Sequence, residues 1–288
     1  YSDLEIGPGG WDNQSIVFWD ELISRYVLFT RHWTNISGTE DESGNPYRFR
    51  AVRRLESVDL VRWDNQNIVL EPDERDWLAE ETPSPRPPVD YYGATVFKYP
   101  ETDDVYIMLA QAFWNYIPLD QTDKTGPSTF DVQLLVSRNG KDFYRTGKRH
   151  PFMRLGPAGS FDSKYVWALP NPVVMNDEIW VYYGGSNRDH NGNIDQAAPG
   201  GKQLSGISRA VMRLDGFFSA DARYDGGELI TPLIRFSGDK LELNLDTSGG
   251  GSAKVELLDE AGKPIEGFTQ SDCEILNGNS IQMPVNWK

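Results

Sequence analysis

A pattern of short apolar segments that recurs three times constrains the fold of this chain more than any other feature. Each copy has an apolar pair, an acidic turn and a second run of apolar residues. Phe18, Phe97 and Val174 mark the same place in the three copies and lie 79 and 77 residues apart. Short runs bounded by Gly, Pro, Asn and Asp predict β-strands. About four such strands in each copy predict an all-β fold, a β-propeller built from blades.

The repeat also predicts how the chain is divided. Blades are expected over residues 1–234, with Asn67–Leu70 and Leu229-Ile230 as outer strands. Three copies do not close a ring, because propellers have roughly four to eight blades, so we expect a partial chain. Beyond the repeat, alternation continues in short strands, and residues 235–288 are predicted to form part of a C-terminal β-sandwich. An open sandwich of hairpins is the alternative for the repeat itself.

Charge and composition limit the partners. The 288 residues include 28 lysines and arginines against 43 aspartates and glutamates, which gives a net charge of −15. This excess of carboxylates repels phosphate, so neither a nucleic acid nor a membrane surface is predicted as a partner. The three histidines are far apart in sequence, and no metal site is predicted from them. Acid–base chemistry is therefore expected from carboxylates.

Three aspartates are the predicted catalytic residues. Asp12, Asp90 and Asp162 each stand beside an aromatic residue where the first strand of a copy begins. First strands line the channel of a propeller, so we expect these carboxyl groups to face one pocket at its mouth. Crowding of like charges there should raise at least one pKa. The alternative is a structural role, since aspartates often bond turn amides at such positions.

Aromatic, amide and basic residues around these aspartates are the predicted substrate contacts. Paired carboxylates with aromatic platforms suit glycoside hydrolysis, so the predicted partner is an oligosaccharide or polysaccharide. The predicted substrate-binding residues are Trp11, Asn13, Gln14, Trp33, Tyr91, Tyr92, Trp114, Lys164, Arg188 and His190.

One segment has the alternating oxygen-bearing residues of a calcium loop. It runs from Asp189 to Asp195. It lacks the glycine and the glutamate that complete such a loop, so a flexible turn is the preferred interpretation. No cofactor is predicted, and calcium is the one alternative.

Several segments resemble glycoside hydrolase families with five-bladed propellers. The segment from Trp11 to Asp20 resembles a strand of family 32, and Ser57-Val-Asp-Leu-Val-Arg-Trp63 resembles that family's Ser-x-Asp-Leu-x-x-Trp turn. The segments Phe161–Lys164, Asn171–Val174 and Tyr182–Gly185 are similar to the mannoside phosphorylases of family 130. Family 43 shares the architecture, and family 32 carries a C-terminal β-sandwich.

The resemblance implies roles for individual residues. Asp12 matches the family-32 aspartate that binds sugar hydroxyls, although Trp11 replaces the preceding arginine. The Glu-Cys acid/base motif of that family should fall near Asp90, where no glutamate stands, and Tyr92 aligns with it. The family's nucleophile motif is not found in this sequence. The implied activity is cleavage of a terminal sugar, a furanoside among the options.

Two other functions remain open at this point. One is a glycan-binding propeller without catalysis, which the missing family-32 motifs favour. The other is a glycoside phosphorylase similar to family 130, with Lys164, Arg188 and His190 as a phosphate site.

Overall fold

The computed structural model describes residues 13–38, 40, 44–76, 88–100, 102, 104–115 and 126–288. Regular structure in this part of the chain is almost entirely β-strand, which confirms the predicted all-β fold. The chain divides into two compact units. The first comprises Tyr1–Pro172 with Val181–Ala210, and the second comprises Val173–Trp180 with Val211–Lys288.

The first copy of the repeat forms a four-stranded antiparallel sheet. Its strands are β1 (Ile16–Asp20), β2 (Arg25–Asn35), β3 (Arg48–Ser57) and β4 (Asp64–Leu70), paired in the order of the chain. Antiparallel neighbours joined by short turns are the arrangement of a propeller blade. The predicted outer strand at Asn67–Leu70 lies in β4.

The second copy repeats this arrangement. Its strands are β5 (Val89–Lys98), β6 (Tyr106–Asn115), β7 (Ser128–Ser137) and the short β8 (Tyr144–Arg145), again antiparallel and in chain order. Strand β5 packs against β3 and β2 of the first copy.

The turns that end β3 and β7 explain why two landmarks of the repeat look alike. The Ser57 hydroxyl accepts a hydrogen bond from a backbone N–H three residues later, and the Asp59 carboxylate accepts two more. In the second copy, Ser137 and Asn139 accept the equivalent bonds. Small polar side chains that bond nearby amides favour such turns. The shared motif therefore encodes one local structure.

The third copy departs from the predicted blade. It contains β9 (Tyr165–Ala168), β10 (Val173–Met175), β11 (Glu178–Ser186) and β12 (Ser205–Arg213). In the first unit, β9 pairs with residues 183–186 of β11; in the second unit, β10 pairs with residues 178–180. Strand β12 also pairs with β11.

Two predictions for this copy are wrong. Leu229-Ile230 is not a strand, and both side chains are exposed. The second and third copies also share one sheet, because Phe130 of β7 pairs in parallel with Tyr165 of β9. A separate four-stranded sheet is therefore found only for the first copy among the described residues.

The core of the first unit lies between the first two sheets. Val27, Phe29, Val52, Val96 and Met108 belong to this cluster and are nearly or fully buried. Burial of apolar side chains on the facing sides of two sheets is the main stabilising term in such a fold. Polar residues at the strand ends are thereby held at the margin of a rigid core.

The remaining elements are short. Single 3₁₀ turns occur at Glu74–Asp76, Gly147–Arg149 and Pro199–Gly201. The second unit contains the antiparallel pair β13 (Glu242–Asp246) and β14 (Asn279–Pro284). No helix in the described part of the chain is long and apolar enough to cross a membrane. The predicted boundary between residues 234 and 235 and the β-sandwich stay predictions.

Candidate functional site

Strand ends from the first two sheets converge at one edge of the first unit. In an antiparallel sheet the end of one strand lies beside the start of the next. Trp33 near the end of β2 therefore pairs with Arg50 near the start of β3, and Asp90 at the start of β5 pairs with Phe113 at the end of β6. We call this edge the mouth.

A β-bulge aims one tyrosine at the mouth. Tyr91 pairs with Ala112 and Gly93 pairs with Gln111, so Tyr92 between them is the extra residue of the bulge. The Asn13 amide donates a hydrogen bond to the Tyr92 carbonyl at 3.3 Å. The bulge separates the two tyrosines, so that they have different surroundings.

The Tyr92 ring belongs to a continuous group of six rings. Neighbouring ring centroids in the group are 4.6 to 6.1 Å apart. We call this group the aromatic cluster: Tyr92, Phe113, Phe130, Tyr165, Trp167 and His190. The two phenylalanines are buried, His190 is exposed, and the other rings are half-buried. The Tyr92 hydroxyl lies 3.2 Å from Nε2 of His190. Such a half-exposed aromatic surface can stack against a sugar ring.

The predicted residue Gln14 connects this cluster to β5. Its amide nitrogen donates to the Thr95 hydroxyl at 2.6 Å, and its amide oxygen accepts a hydrogen bond from the Trp167 indole. Gln14 thus orients one ring of the cluster.

An ion pair borders the aromatic cluster. Nη1 of Arg50 lies 3.0 Å from Oδ2 of Asp90, whose side chain is 1% exposed. The Arg50 guanidinium also stacks on the rings of Tyr92 and Trp33, 4.5 and 4.6 Å from their centroids. Arg31 and Arg48 stack on the same Trp33 ring, at 5.2 and 4.4 Å. The mouth therefore presents cations as well as aromatic faces.

A buried aspartate outside the predicted set lies on β7. Burial raises the pKa of Asp131 to about 6, although a hydrogen bond from the indole of Trp114 at 2.8 Å opposes the rise. Phe130-Asp131 is the same aromatic–aspartate pairing that marked the three predicted aspartates, but on a third strand. This dipeptide is the sequence feature from which Asp131 could have been identified.

Asp131 and Asp90 lie on opposite faces of their sheet. Directly paired residues in antiparallel strands share a face. Asp131 pairs with Ala112, whereas Asp90 pairs with Phe113, the next residue of β6. The two carboxyl groups therefore cannot flank one substrate.

Asp162 has its own surroundings at the start of β9. Its two oxygens accept hydrogen bonds from the hydroxyls of Tyr183 and Ser160, at 2.8 and 2.7 Å. A Cβ atom added to Gly185 would lie 2.7 Å from the Asp162 Cβ, so this close approach requires glycine. Among the described contacts, Asp162 and Asp90 share no partner. Asp12 and Trp11 lie outside the described residues.

The other predicted residues are distributed around this region. Tyr91 is fully buried in the core and donates to Gln133 at 3.1 Å, which gives it a packing position. Trp114 is half-buried beside Asp131. Lys164 is half-buried, and Arg188 is exposed with its guanidinium 3.4 Å from the Gln203 side chain.

The segment with the calcium-like pattern is held by hydrogen bonds. Asp189 accepts bonds from the backbone N–H groups of Ser128 and Asn193, and Asp195 accepts from Ser163 and Gly159. Within the described residues, no group of three His, Cys, Asp or Glu side chains could hold a metal ion.

Comparison with known proteins gives only distant similarities. No protein-family model and no curated protein matches the chain. An N-acetylgalactosamine deacetylase from F. plautii, solved with blood group B trisaccharide, is similar over 71% of this chain and 51% of its own, with 16% identity and a TM-score of 0.44. A glycosyl hydrolase from Bacteroides ovatus is similar over 73% and 54%, with 14% identity and a TM-score of 0.34.

A structure from the GH130 family of mannoside phosphorylases is similar over 70% of this chain and 46% of its own, with 14% identity and a TM-score of 0.36. The chain thus spans about half the length of these structures. All three TM-scores are below 0.5, so only the residues of the site bear on the function.

Proposed function

We propose that the protein is a carbohydrate-active enzyme that binds a glycan at the mouth and cleaves a terminal sugar. The observation that carries this proposal is the aromatic cluster beside the Arg50–Asp90 pair. Aromatic faces bind the apolar faces of sugar rings, while charged groups at their border bind hydroxyls. A carboxylate beside such a platform can act on the glycosidic bond.

The reaction assigned to the site uses carboxylates in two roles. One carboxyl group donates a proton to the leaving oxygen, while another attacks the sugar or activates water. Asp90 and Asp162 are our candidates, with Asp12 as a third. Arg50 fixes one oxygen of Asp90, and two hydroxyl groups fix both oxygens of Asp162. Asp131 is left out, because it lies on the other face of the sheet.

The finer form of the proposal follows from the family resemblance. A five-bladed propeller of the family-32 type would act on a furanoside, with residues 1–234 as blades and residues 235–288 as part of a sandwich. The phosphorylase alternative is favoured by one observation. The guanidinium groups of Arg31 and Arg50 and the imidazole ring of His190 all lie within 5.5 Å of the Tyr92 ring centroid, so nitrogen donors that suit a phosphate group stand beside the aromatic cluster.

Turnover of oligosaccharides with terminal furanosides or mannosides tests the proposal. Asp90→Asn and Asp162→Asn should each lower kcat/KM by a factor of about 100 or more, since acid–base groups contribute on that scale. Asp64→Asn replaces an exposed aspartate of the first sheet and serves as the matched control. Calorimetric binding of the same glycans should persist in the variants.

The outcomes separate the three functions. Turnover that depends on added phosphate would favour the phosphorylase. Binding without turnover in the unaltered protein would favour the non-catalytic propeller. If the unaltered protein shows no binding and no turnover of any glycan, the proposal is refuted.

A further inference from the structure

A cavity lies at the outer strands β4 and β8. It has a volume of about 720 Å³ and lies among β4, the turn that follows it, and the segment from Phe143 to Arg149. We call it the outer cleft. Strands β4 and β8 are the last strands of the first two copies, and the guanidinium of Arg145, which lines the cleft, lies 4.9 Å from the ring centroid of Tyr91 in β5. Cavities of this size accommodate small ligands.

The wall of the outer cleft is apolar and includes an exposed ring. Ile68, Leu70 and Phe143 line it, together with Tyr144, which is 67% exposed. An exposed tyrosine beside aliphatic side chains is a surface on which a sugar ring can stack.

Two of the four cations that line the cleft are neutralised. Arg149 forms a bidentate pair with Asp73, at 2.7 and 2.6 Å, and a further bond of 3.1 Å to Asp76. Arg145 bonds both oxygens of Asp76, at 2.8 and 2.6 Å. The Arg149 hydrogen bond lowers the pKa of Asp73 to about 2, so its carboxylate stays charged across the physiological range.

The other two cations are left for a ligand. Arg75 and Lys148 line the cleft, and neither forms an ion pair within the described residues. Lys148 and Arg149 both have left-handed backbone conformations, with φ of 56° and 66°. Such conformations are costly for residues other than glycine and persist only where the surroundings hold them. Here the ion pairs of Arg149 hold the segment that carries Lys148.

We propose that the outer cleft binds an acidic sugar, with its carboxylate between Arg75 and Lys148 and its ring on Tyr144. The exposed Glu71 also lines the cleft, so its four cations exceed the carboxylates of Glu71, Asp73 and Asp76 by one. An anion gains charge-assisted hydrogen bonds from Arg75 and Lys148, whereas a neutral sugar does not. The chain as a whole carries a charge of −15 and repels anions, so a cationic cleft on it is selective. The proposal goes beyond catalysis at the mouth and does not depend on it.

A matched pair of ligands tests the charge requirement. Methyl glucuronide carries a carboxylate where methyl glucoside carries a hydroxymethyl group. Ligand-detected NMR can follow the binding of both. We expect the glucuronide to bind at least about tenfold more tightly, since one charge-assisted contact exceeds about 1.4 kcal/mol. Equal affinity for the two glycosides, or no binding of the glucuronide, would overturn the proposal.

Variants then locate the binding site. Lys148→Gly removes the amine and suits the left-handed backbone, so the fold is retained, and glucuronide affinity should fall at least about fivefold. Arg75→Gln should act in the same direction. Lys240→Gln, which removes an exposed lysine of the second unit, is the control. Unchanged affinity in both cleft variants would overturn the assignment.

A last measurement separates a sugar site from a simple anion site. Tyr144→Ala should weaken glucuronide binding and leave any binding of inorganic phosphate unchanged. If phosphate competes with the glucuronide at equal affinity and Tyr144→Ala has no effect, the cleft binds anions only and the sugar assignment is wrong.

Discussion

Asp131 is a carboxyl group whose ionisation opposes folding, and its replacement by asparagine should stabilise the protein at neutral pH. Its side chain is buried, and burial raises its pKa from 3.8 to about 6. A raised pKa means that the folded state prefers the protonated form. The unfolding free energy is therefore not reduced by Asp131 below about pH 4, and this part of the stability is lost as the pH rises through 6.

The size of the effect follows from the change in pKa. One pKa unit corresponds to about 1.4 kcal/mol, so ionised Asp131 lowers the free energy of unfolding by about 3 kcal/mol above pH 6. An asparagine at this position would carry no charge and could keep the hydrogen bond from Trp114. The asparagine amide nitrogen would take the place of an oxygen that has no hydrogen-bond partner among the described residues, at a cost of about 1–2 kcal/mol. We expect a net gain of about 1–2 kcal/mol at pH 8.

Urea unfolding followed by tryptophan fluorescence at pH 4, 6 and 8 checks this reasoning. The difference in unfolding free energy between Asp131→Asn and the unaltered protein should shift by about 2 kcal/mol between pH 4 and pH 8, because all other groups titrate alike in both. Asp64→Asn, which removes an exposed carboxylate, is the control. If the difference in unfolding free energy between the two proteins does not depend on pH, the raised pKa is refuted, whichever protein is the more stable.

Substitutions at three further positions test the packing of the first unit. Glu56→Gln leaves the fully buried Arg54 guanidinium without its 2.5 Å carboxylate partner, so urea unfolding should show a loss of about 3–5 kcal/mol, and a loss below about 1 kcal/mol would contradict this. Gly140→Ala places a methyl group 3.1 Å from the Tyr106 ring at a φ of 68°, and the melting temperature should fall by several degrees; an unchanged value would count against strain there. Tyr92→Phe removes only the contact with His190 and should cost about 1 kcal/mol or less, whereas Tyr92→Ala removes a ring of the aromatic cluster and should cost about 3 kcal/mol; equal losses would show that the ring does not pack there.

The parts of the fold that the sequence predicts are those with local causes. The turns at Ser57 and Ser137 are encoded by side chains that bond their own backbone, so their likeness was visible before any coordinates. The third copy deviates because Pro170 and Pro172 interrupt its first strand, and proline has no N–H for strand pairing. The outer strand predicted at Leu229-Ile230 does not form. Its absence could not be predicted locally, since Leu229-Ile230 has the composition of a strand.

The candidate site was harder to predict because it depends on pairs that are distant in sequence. Arg50 reads as an exposed residue of an alternating strand, yet its partner Asp90 lies forty residues away. Tyr91 and Tyr92 are adjacent and chemically alike, and only the bulge opposite Ala112 decides which one enters the core. Neither fact can be derived from composition or spacing.

The same reasoning explains why an aromatic residue beside an aspartate does not by itself assign that aspartate to the site. Successive residues of a strand point to opposite faces, so a change of one residue in register moves a side chain to the other side of the sheet. Asp90 and Asp131 carry the same local signal and sit two strands apart, yet their partners Phe113 and Ala112 assign them to different faces. The face of Asp90 carries the aromatic cluster, and the face of Asp131 carries the core. A dipeptide motif therefore selects residues for a site only after the register of the neighbouring strand is known.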